Sequence, residues 1–516
     1  MKCERARAVP SVACPDATGA DRHFATDHLL PDLKRRTISS GVVTFSAQAA
    51  KFLLSITSTM ILARLLTPRD FGLVAMVATV ASFLRVFKDA GLSIATVQRE
   101  RITQAQVSNL FWINVAAGAV GSLILAGLAW VIAGFYHNAR LIPITLLLSL
   151  TFVISGSTAQ HQALLKRQMR FKALAMIEVG SIAFSVVIGV TVAILGGSYW
   201  SLVWASLAAE VAGLVLTWSI SRWRPQLPTR RSGMGPLVSF GAHRTAGDLI
   251  FSFARGCDNL LIGRFYGAAA VGLYSRASAL LLRPLEQFLS PINAVFVPAL
   301  SRLQSKPERY RSTFLRLYEA IVLVGFFFTG LCLALGRPIT LVLLGPRWEQ
   351  ASVIFSGFTI AALCIPLTNV SAWLFTSQGR GRDLFITQVI NACAILLSFI
   401  AGLPFGPIGV AIAFSISSLL VRIPILYFRA GRCGPVRTAD LWRIFFRHLP
   451  LWAIVFCVTW LAQALVVNLG PLAQLLICGP IGVIVGAAFI YNFRPQRQVA
   501  SHLLQSVREL TGRPIK

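Results

Sequence analysis

The stretch AHRTAGDLIFSFARGCDNLLIGRF, residues 242–265, sets Arg244, Asp248, Arg255 and Asp258 into an otherwise apolar run. At about 100° per helical residue the four fall within roughly 80° of arc, so a helix here presents one charged stripe. Downstream, Arg276 and Arg283 stand seven residues apart, with Gln287 on their face. Upstream, Gln48, Lys51, Ser55 and Ser58 form a milder polar face, and Arg85, Lys88 and Asp89 follow at helical spacing. Guanidinium and ammonium groups converging on one space suit an anion such as a diphosphate, to which they offer charge-assisted hydrogen bonds. The bland alternative is internal neutralisation, Arg255 by Asp258 and Arg244 by Asp248.

The elements that hold these residues are built for a bilayer. The 516 residues are 55% hydrophobic and only 13% charged, about half the charged share of a soluble protein. Blocks such as LIPITLLLSLTFVISGSTAQ (141–160) and PLAQLLICGPIGVIVGAAFI (471–490) have the length of about 20 residues that crossing the hydrocarbon core requires. Hydropathy windows place spans near 41–63, 71–95, 107–134, 141–163, 173–195 and 199–221, then near 236–262, 271–298, 313–335, 350–377, 384–403 and 408–428, and finally near 449–468 and 472–492. The expected fold class is an all-α membrane protein of about fourteen transmembrane helices, in two six-helix pseudo-symmetric lobes plus a C-terminal helix pair. The corresponding organisation is a disordered arm at 1–36, an N-lobe at 37–221, an inter-lobe loop at 222–235 and a C-lobe at 236–428. Helices 13 and 14 follow at 449–492, and a basic tail at 493–516.

The net charge of +29 is distributed by side. Segments on one side of the proposed spans hold 26 of the 48 basic residues, and the loops on the other side hold six. The positive-inside rule then puts both termini in the cytoplasm. No basic stripe with interleaved aromatics lies outside the spans, which argues against nucleic acid. The arm carries Pro10, Pro15 and Pro31 but no short apolar run with a small-residue cleavage site, so it does not read as a secretory signal. Nine cysteines are scattered without a CxxC pair, and the histidines show no ligand spacing beyond His23/His28, so neither a metal nor a cofactor is expected. No GxxxxGK[ST] loop occurs, and no outer loop is large enough for a catalytic domain.

Nine basic residues fall inside the spans: Lys51, Arg85, Lys88, Arg244, Arg255, Arg276, Arg283, Arg316 and Arg422. A charge near the bilayer centre costs several kcal/mol and marks a pathway or a partner. Arg316 and Arg422 read as snorkelling from span ends, a route also open to Lys88 and Arg283. Lys51, Arg85, Arg244, Arg255, Arg276 and Arg283 are therefore the candidates for an anion-binding cavity. Asp248 and Asp258 are candidates for ion coupling or charge balance.

The chain also repeats. ILARLLTPRDFGL (61–73) and LIGRFYGAAAVGL (261–273) align at an offset of 200, pairing Arg64 with Arg264, Gly72 with Gly272 and Leu73 with Leu273. Spans 1 and 7 would open two parallel repeats, an arrangement suited to alternating access.

ARLLTPRDFGL (63–73), DAGL (89–92) and the span plan resemble the polysaccharide transporter family of the multidrug/oligosaccharidyl-lipid/polysaccharide exporter superfamily, and GPRWEQASVIFSGFTIAALCIPL (345–367) is similar to its C-terminal half. The resemblance covers about residues 37–490. It implies a Wzx-type flippase, not an enzyme, that moves undecaprenyl-diphosphate-linked oligosaccharide across the bacterial inner membrane for capsule, O-antigen or exopolysaccharide. Its partners would be the lipid-linked substrate, membrane lipids and polysaccharide polymerase machinery, with the chain acting as a monomer. The resemblance also implies a cavity lined by basic residues from the first two helices of each half, where Lys51, Arg85, Arg244, Arg255 and Arg276 fall. A multidrug exporter of cations from the same superfamily would need a net acidic cavity, whereas spans 1, 2, 7 and 8 hold seven basic and four acidic residues. A membrane polymerase or ligase would need catalytic groups that no segment assembles.

Overall fold

A computed structural model describes residues 33–88, 96, 102–229 and 235–501. The arm before residue 33, DAGL (89–92) and the tail beyond residue 501 lie outside the described residues, as do the side chains of Lys88, Arg244 and Asp248. Among the described residues every regular element is a helix. The first half of the chain forms α1 (Leu33–Leu65), α2 (Pro68–Lys88), α3 (Gln104–Gly127), α4 (Ala129–Tyr136), α5 (Leu141–Arg167), α6 (Phe171–Ile194) and α7 (Trp200–Ser221). The second forms α8 (Gly235–Ser301), α9 (Pro307–Ala334), α10 (Gly336–Leu344), α11 (Glu349–Gly357), α12 (Thr359–Ser377), α13 (Gly381–Gly402), α14 (Gly406–Ser417) and α15 (Ile423–Arg432). Two more, α16 (Thr438–Leu465) and α17 (Pro471–Asn492), complete it. Among the described residues ten stretches are long and apolar enough to cross a membrane.

Helix α8 is two helices. A straight helix of its 67 residues would run about 100 Å. Yet Arg255 and Glu286, 31 residues apart, meet at 2.5 Å. The chain reverses at Gly267, whose φ of 78° suits a residue without a Cβ. Its two arms correspond to the separate spans expected at 236–262 and 271–298. The first helix starts at Leu33, earlier than the expected boundary at 37, and the expected span at 350–377 is broken at Phe358 into α11 and α12.

The turns show the internal repeat more clearly than the side chains do. Left-handed residues at His137, Met169, Gly196 and Arg222 in the first half answer to Gly345, Gly379, Gly406 and Gly434 in the second. The same stops occur at the same places along both halves. The interval from Gly196 to Arg222 spans 26 residues, and that from Gly406 to Gly434 spans 28. The longer helix run contains a π turn at Ser418–Arg422, a way of absorbing extra residues inside a helix.

TPRDFG is the start signal of α2. Thr67 and Asp70 form a reciprocal cap: Thr67 N and Oγ donate to Asp70 Oδ2 at 2.9 and 2.6 Å, and Asp70 N donates to Thr67 Oγ at 3.3 Å. Pro68 stands first in the helix, where its missing N–H costs nothing. Ser198, in the α6–α7 turn, also donates to Asp70. Asp70→Ala removes the cap and orphans two hydroxyls, a loss of about 2 kcal/mol. We expect a lower melting temperature for the purified variant, with Asp70→Asn intermediate. Equal melting would refute this role.

After α7 the chain does not leave the first half at once. Residues 223–229 run along the first turns of α3 and are fixed there. Trp223 Nε1 donates to Gln104 Oε1 (2.6 Å) and Gln104 Nε2 to Arg224 O (3.0 Å). Gln226 N donates to Ser108 Oγ, and Trp112 Nε1 donates to Gln226 O. Asn109 closes the staple by pairing both its amide ends with the Thr229 backbone, at 2.7 and 2.9 Å.

Candidate functional site

The halves meet most extensively where α2 packs against both arms of α8. At one end Gly72 and Gly272 face each other, each filling the space a side chain would need. A Cβ on Gly72 would lie 1.6 Å from Ala268 O, and one on Gly272 would lie 1.8 Å from Pro68 O. The contact is reciprocal at the offset of 200 found in the sequence. Trp348, fully buried in the loop after α10, seals the same end. Its Nε1 donates to Ala63 O of α1 at 2.9 Å, and its ring meets Phe71 edge-on at 5.3 Å.

One turn beyond this crossing a cavity of about 560 Å³ opens between α2 and the two arms of α8. Ala75, Ala78, Thr79 and Ser82 form its α2 wall, and the α8 arms contribute Arg255, Asn259, Ser275, Arg276, Arg283 and Glu286 among others. Three of the expected arginines are thus brought together. Arg255 Nη2 pairs with Glu286 Oε1 at 2.5 Å. The Arg276 guanidinium stacks over Phe71 at 5.0 Å, and its buried Nε has no hydrogen-bond partner. Arg283 is exposed toward the open space. Among the cavity-lining side chains Glu286 is the one carboxylate, against three guanidiniums. In a low-dielectric wall that imbalance favours an anion.

The other candidates lie elsewhere. Asp258 is not in the lining, and its Oδ1 accepts from Asn259 N at 2.6 Å. Lys51 pairs with Glu178 of α6 at 2.6 Å, on the first half's own side. Arg85 is exposed one turn past Ser82. Arg244 and Asp248 have side chains outside the described residues. Arg422, expected to snorkel, is half-buried, with its guanidinium over Phe414 at 5.1 Å. Sequence reasoning missed Glu286 as the partner of Arg255. Its signal was its place three residues after Arg283, on the face of Arg276.

On the opposite side of the second α8 arm lies an apolar groove of about 360 Å³. Gln48 and Phe52 of α1, Pro284, Leu285 and Phe288 of α8, and Phe328 of α9 shape it. Cationic cavity and apolar groove share one helix as their wall.

This architecture is that of the transporter fold shared by lipid-flipping and drug-exporting proteins. It superposes on the lipid II flippase MurJ, inward closed, with a TM-score of 0.69 at 14% identity, over 88% of this chain and 99% of that one. An inward-facing multidrug resistance MATE transporter gives 0.59 at 11% identity, over 78% of this chain and 99% of that one. At these identities the likeness concerns the fold. The chain belongs to the polysaccharide biosynthesis protein family, which it matches over residues 61–353, a range that contains the whole cavity lining and Trp348. It is similar to the lipopolysaccharide biosynthesis protein WzxC of Escherichia coli (strain K12), 23% identical over 437 residues, covering 82% of this chain and 88% of that protein. The succinoglycan biosynthesis transport protein ExoT of Rhizobium meliloti (strain 1021) is 27% identical over 373 residues, 71% of this chain and 74% of its own. The teichuronic acid biosynthesis protein TuaB of Bacillus subtilis (strain 168) is 27% identical over 359 residues, 69% and 74%.

Proposed function

We propose that this protein is a flippase carrying undecaprenyl-diphosphate-linked oligosaccharide across the bacterial inner membrane, for lipopolysaccharide, capsule or exopolysaccharide synthesis. The observation that carries the reading is the cavity, where Arg255, Arg276 and Arg283 converge against the single carboxylate of Glu286. The diphosphate binds these guanidiniums, while the apolar groove on the other face of the same α8 arm gives the polyprenyl chain a dry path to the bilayer. Lys51, Arg85 and Arg244 serve the approach to the cavity, and Asp248 and Asp258 balance charge or exchange a coupling ion. Family and fold neighbours named for biosynthesis, transport and flipping support a transporter rather than an enzyme. A cationic wall disfavours an exporter of cations.

In this reading the chain crosses the membrane fourteen times. The count comes from the ten apolar stretches, two of which double back, at Gly267 and Gly406, together with α1 and α2. Residues 37–221 and 236–428 form the lobes, 449–492 the added helix pair, and 1–36 and 493–516 cytoplasmic arms. The Gly72–Gly272 crossing then shuts the outer end, and alternating access consists of parting it while the inner end closes.

The test is a deletion strain complemented with wild type, Arg255→Ala, Arg276→Ala or Arg244→Ala, scored for surface polysaccharide with membrane abundance matched. Truncating a charge-assisted contact costs about 1.5–3 kcal/mol. Arg255→Ala and Arg276→Ala should therefore lower export about tenfold or more. Full restoration by both would remove the cavity from the mechanism. A deletion strain with undiminished polysaccharide and no second transporter would remove the flippase reading itself.

A further inference from the structure

Of the three arginines that line the cavity, Arg276 is held in a different way from the others. Arg255 meets the carboxylate of Glu286, and Arg283 is exposed. The Arg276 guanidinium carbon instead lies over the ring of Phe71, 5.0 Å from its centroid. Among the described residues this head group forms no ion pair and no hydrogen bond, and its Nε is buried. A guanidinium has five N–H donors and no acceptor. A phenyl ring attracts the charge through its quadrupole, yet it offers no oxygen to take up a donor. Phe71 therefore fixes the arginine while its donors stay unspent.

Phe71 belongs to the seal as much as to the cavity. It is 3% exposed, and it directly precedes Gly72 at the tight approach to Ala268. Its ring meets Trp348 edge-on at 5.3 Å, and Trp348 Nε1 donates to Ala63 O at 2.9 Å. The four residues alternate between the halves. Ala63 and Phe71 come from the first, Trp348 and Arg276 from the second. The line of contacts thus laces the halves together, and its last member stands in the cavity wall. The Phe71 ring covers Arg276 only while α2 and α8 are closed at this end. Parting them carries the ring with one half and the guanidinium with the other.

We propose that Phe71 is a positioning residue for the substrate's diphosphate, an affinity switch that seats Arg276 for binding while the Gly72–Gly272 crossing is shut and unseats it when the crossing parts. The proposal rests on the flippase reading above. The cavity then holds the diphosphate tightly in the shut state and weakly in the open one, so the movement that uncovers the ligand also releases it. The coupling is reciprocal: a bound diphosphate favours the shut crossing by the same factor.

The experiment measures binding of undecaprenyl diphosphate to the full-length protein in detergent. The proteins are wild type, Phe71→Leu, Phe71→Tyr, Arg276→Ala and the double variant Phe71→Leu with Arg276→Ala. Loss of a desolvated cation–π contact should weaken binding about tenfold in Phe71→Leu. Phe71→Tyr keeps a ring face over the charge and should stay within about threefold of wild type. The double variant should bind no worse than Arg276→Ala, because a residue acting through Arg276 has nothing to position once Arg276 is gone. Gly72→Ala parts the halves with both residues in place, and it should lose about as much affinity as Phe71→Leu. If Phe71→Leu binds as wild type does, the proposal fails and the flippase reading stands. If Phe71→Leu costs the same factor with and without Arg276, Phe71 is structural and the proposal fails. Should Phe71→Leu not fold, the other two variants decide: a tyrosine variant that loses the full tenfold, or a Gly72→Ala protein that binds at full strength, overturns the switch. If wild type itself does not bind undecaprenyl diphosphate, both the proposal and the reading it rests on are overturned.

Discussion

Gly72→Ala will insert into the membrane and will not export. The added Cβ would sit 1.6 Å from Ala268 O and 2.5 Å from the carbon behind it, both backbone atoms of the facing helix. No rotamer change relieves a clash with backbone. The helices must part by more than an ångström, and overpacking of this kind costs about 1–3 kcal/mol or more. The whole cost falls on the state in which the crossing is shut, so the equilibrium moves toward the open one. A shift of about 3 kcal/mol is more than a hundredfold in population. Gly272→Ala should behave alike, since its Cβ meets Pro68 O at 1.8 Å. One separation relieves both clashes, so the double variant should be little worse than either single one. The check is labelling of Ser275→Cys by a membrane-impermeant thiol reagent added from outside, against a background lacking that cysteine. Wild type should be protected and Gly72→Ala labelled. Protection in the alanine variant, with export intact, would show that the crossing does not gate the cavity.

Trp348→Ala will produce the largest stability loss of any single change at that end. The indole is completely buried, donates to Ala63 O and packs edge-on against Phe71, which itself lies under Arg276. Emptying such a site costs about 3–5 kcal/mol. Trp348→Phe keeps most of the packing and loses the hydrogen bond, a loss of about 1 kcal/mol. Thermal melting of the purified proteins should rank wild type, phenylalanine and alanine in that order. Phe71 reaches both Trp348 and Arg276, so the alanine variant should also weaken anion binding in the cavity. An alanine variant that melts with wild type would refute the seal.

Much of this was legible in the sequence, and what was not has a physical cause. Helical periodicity found the face shared by Arg276 and Arg283, because 100° per residue holds within an unbroken helix. It put Arg255 on the right helix but offered Asp258 as its neutralising partner, since periodicity sees only residues on the same helix. Periodicity could not offer Glu286, which pairs with Arg255 at 2.5 Å because the chain reverses at Gly267. Lys51 shows the same limit: Glu178 lies 127 residues away, and no spacing rule joins them. The repeat at offset 200 picked out Gly72 and Gly272, yet likeness of sequence does not say that two residues touch.

The stapled segment at residues 223–229 bears on how far the two halves can travel. Counted along the chain, thirteen residues separate α7 from α8, a slack rope by any measure. With Asn109 holding the Thr229 backbone, the rope is tied off near its far end, and only the six steps from Thr229 to Gly235 remain to pay out. Fully drawn they reach about 20 Å. That length is a ceiling on the distance between the two attachment points in every state that keeps the knot, set by a handful of side-chain amides and indoles rather than by the helices that move.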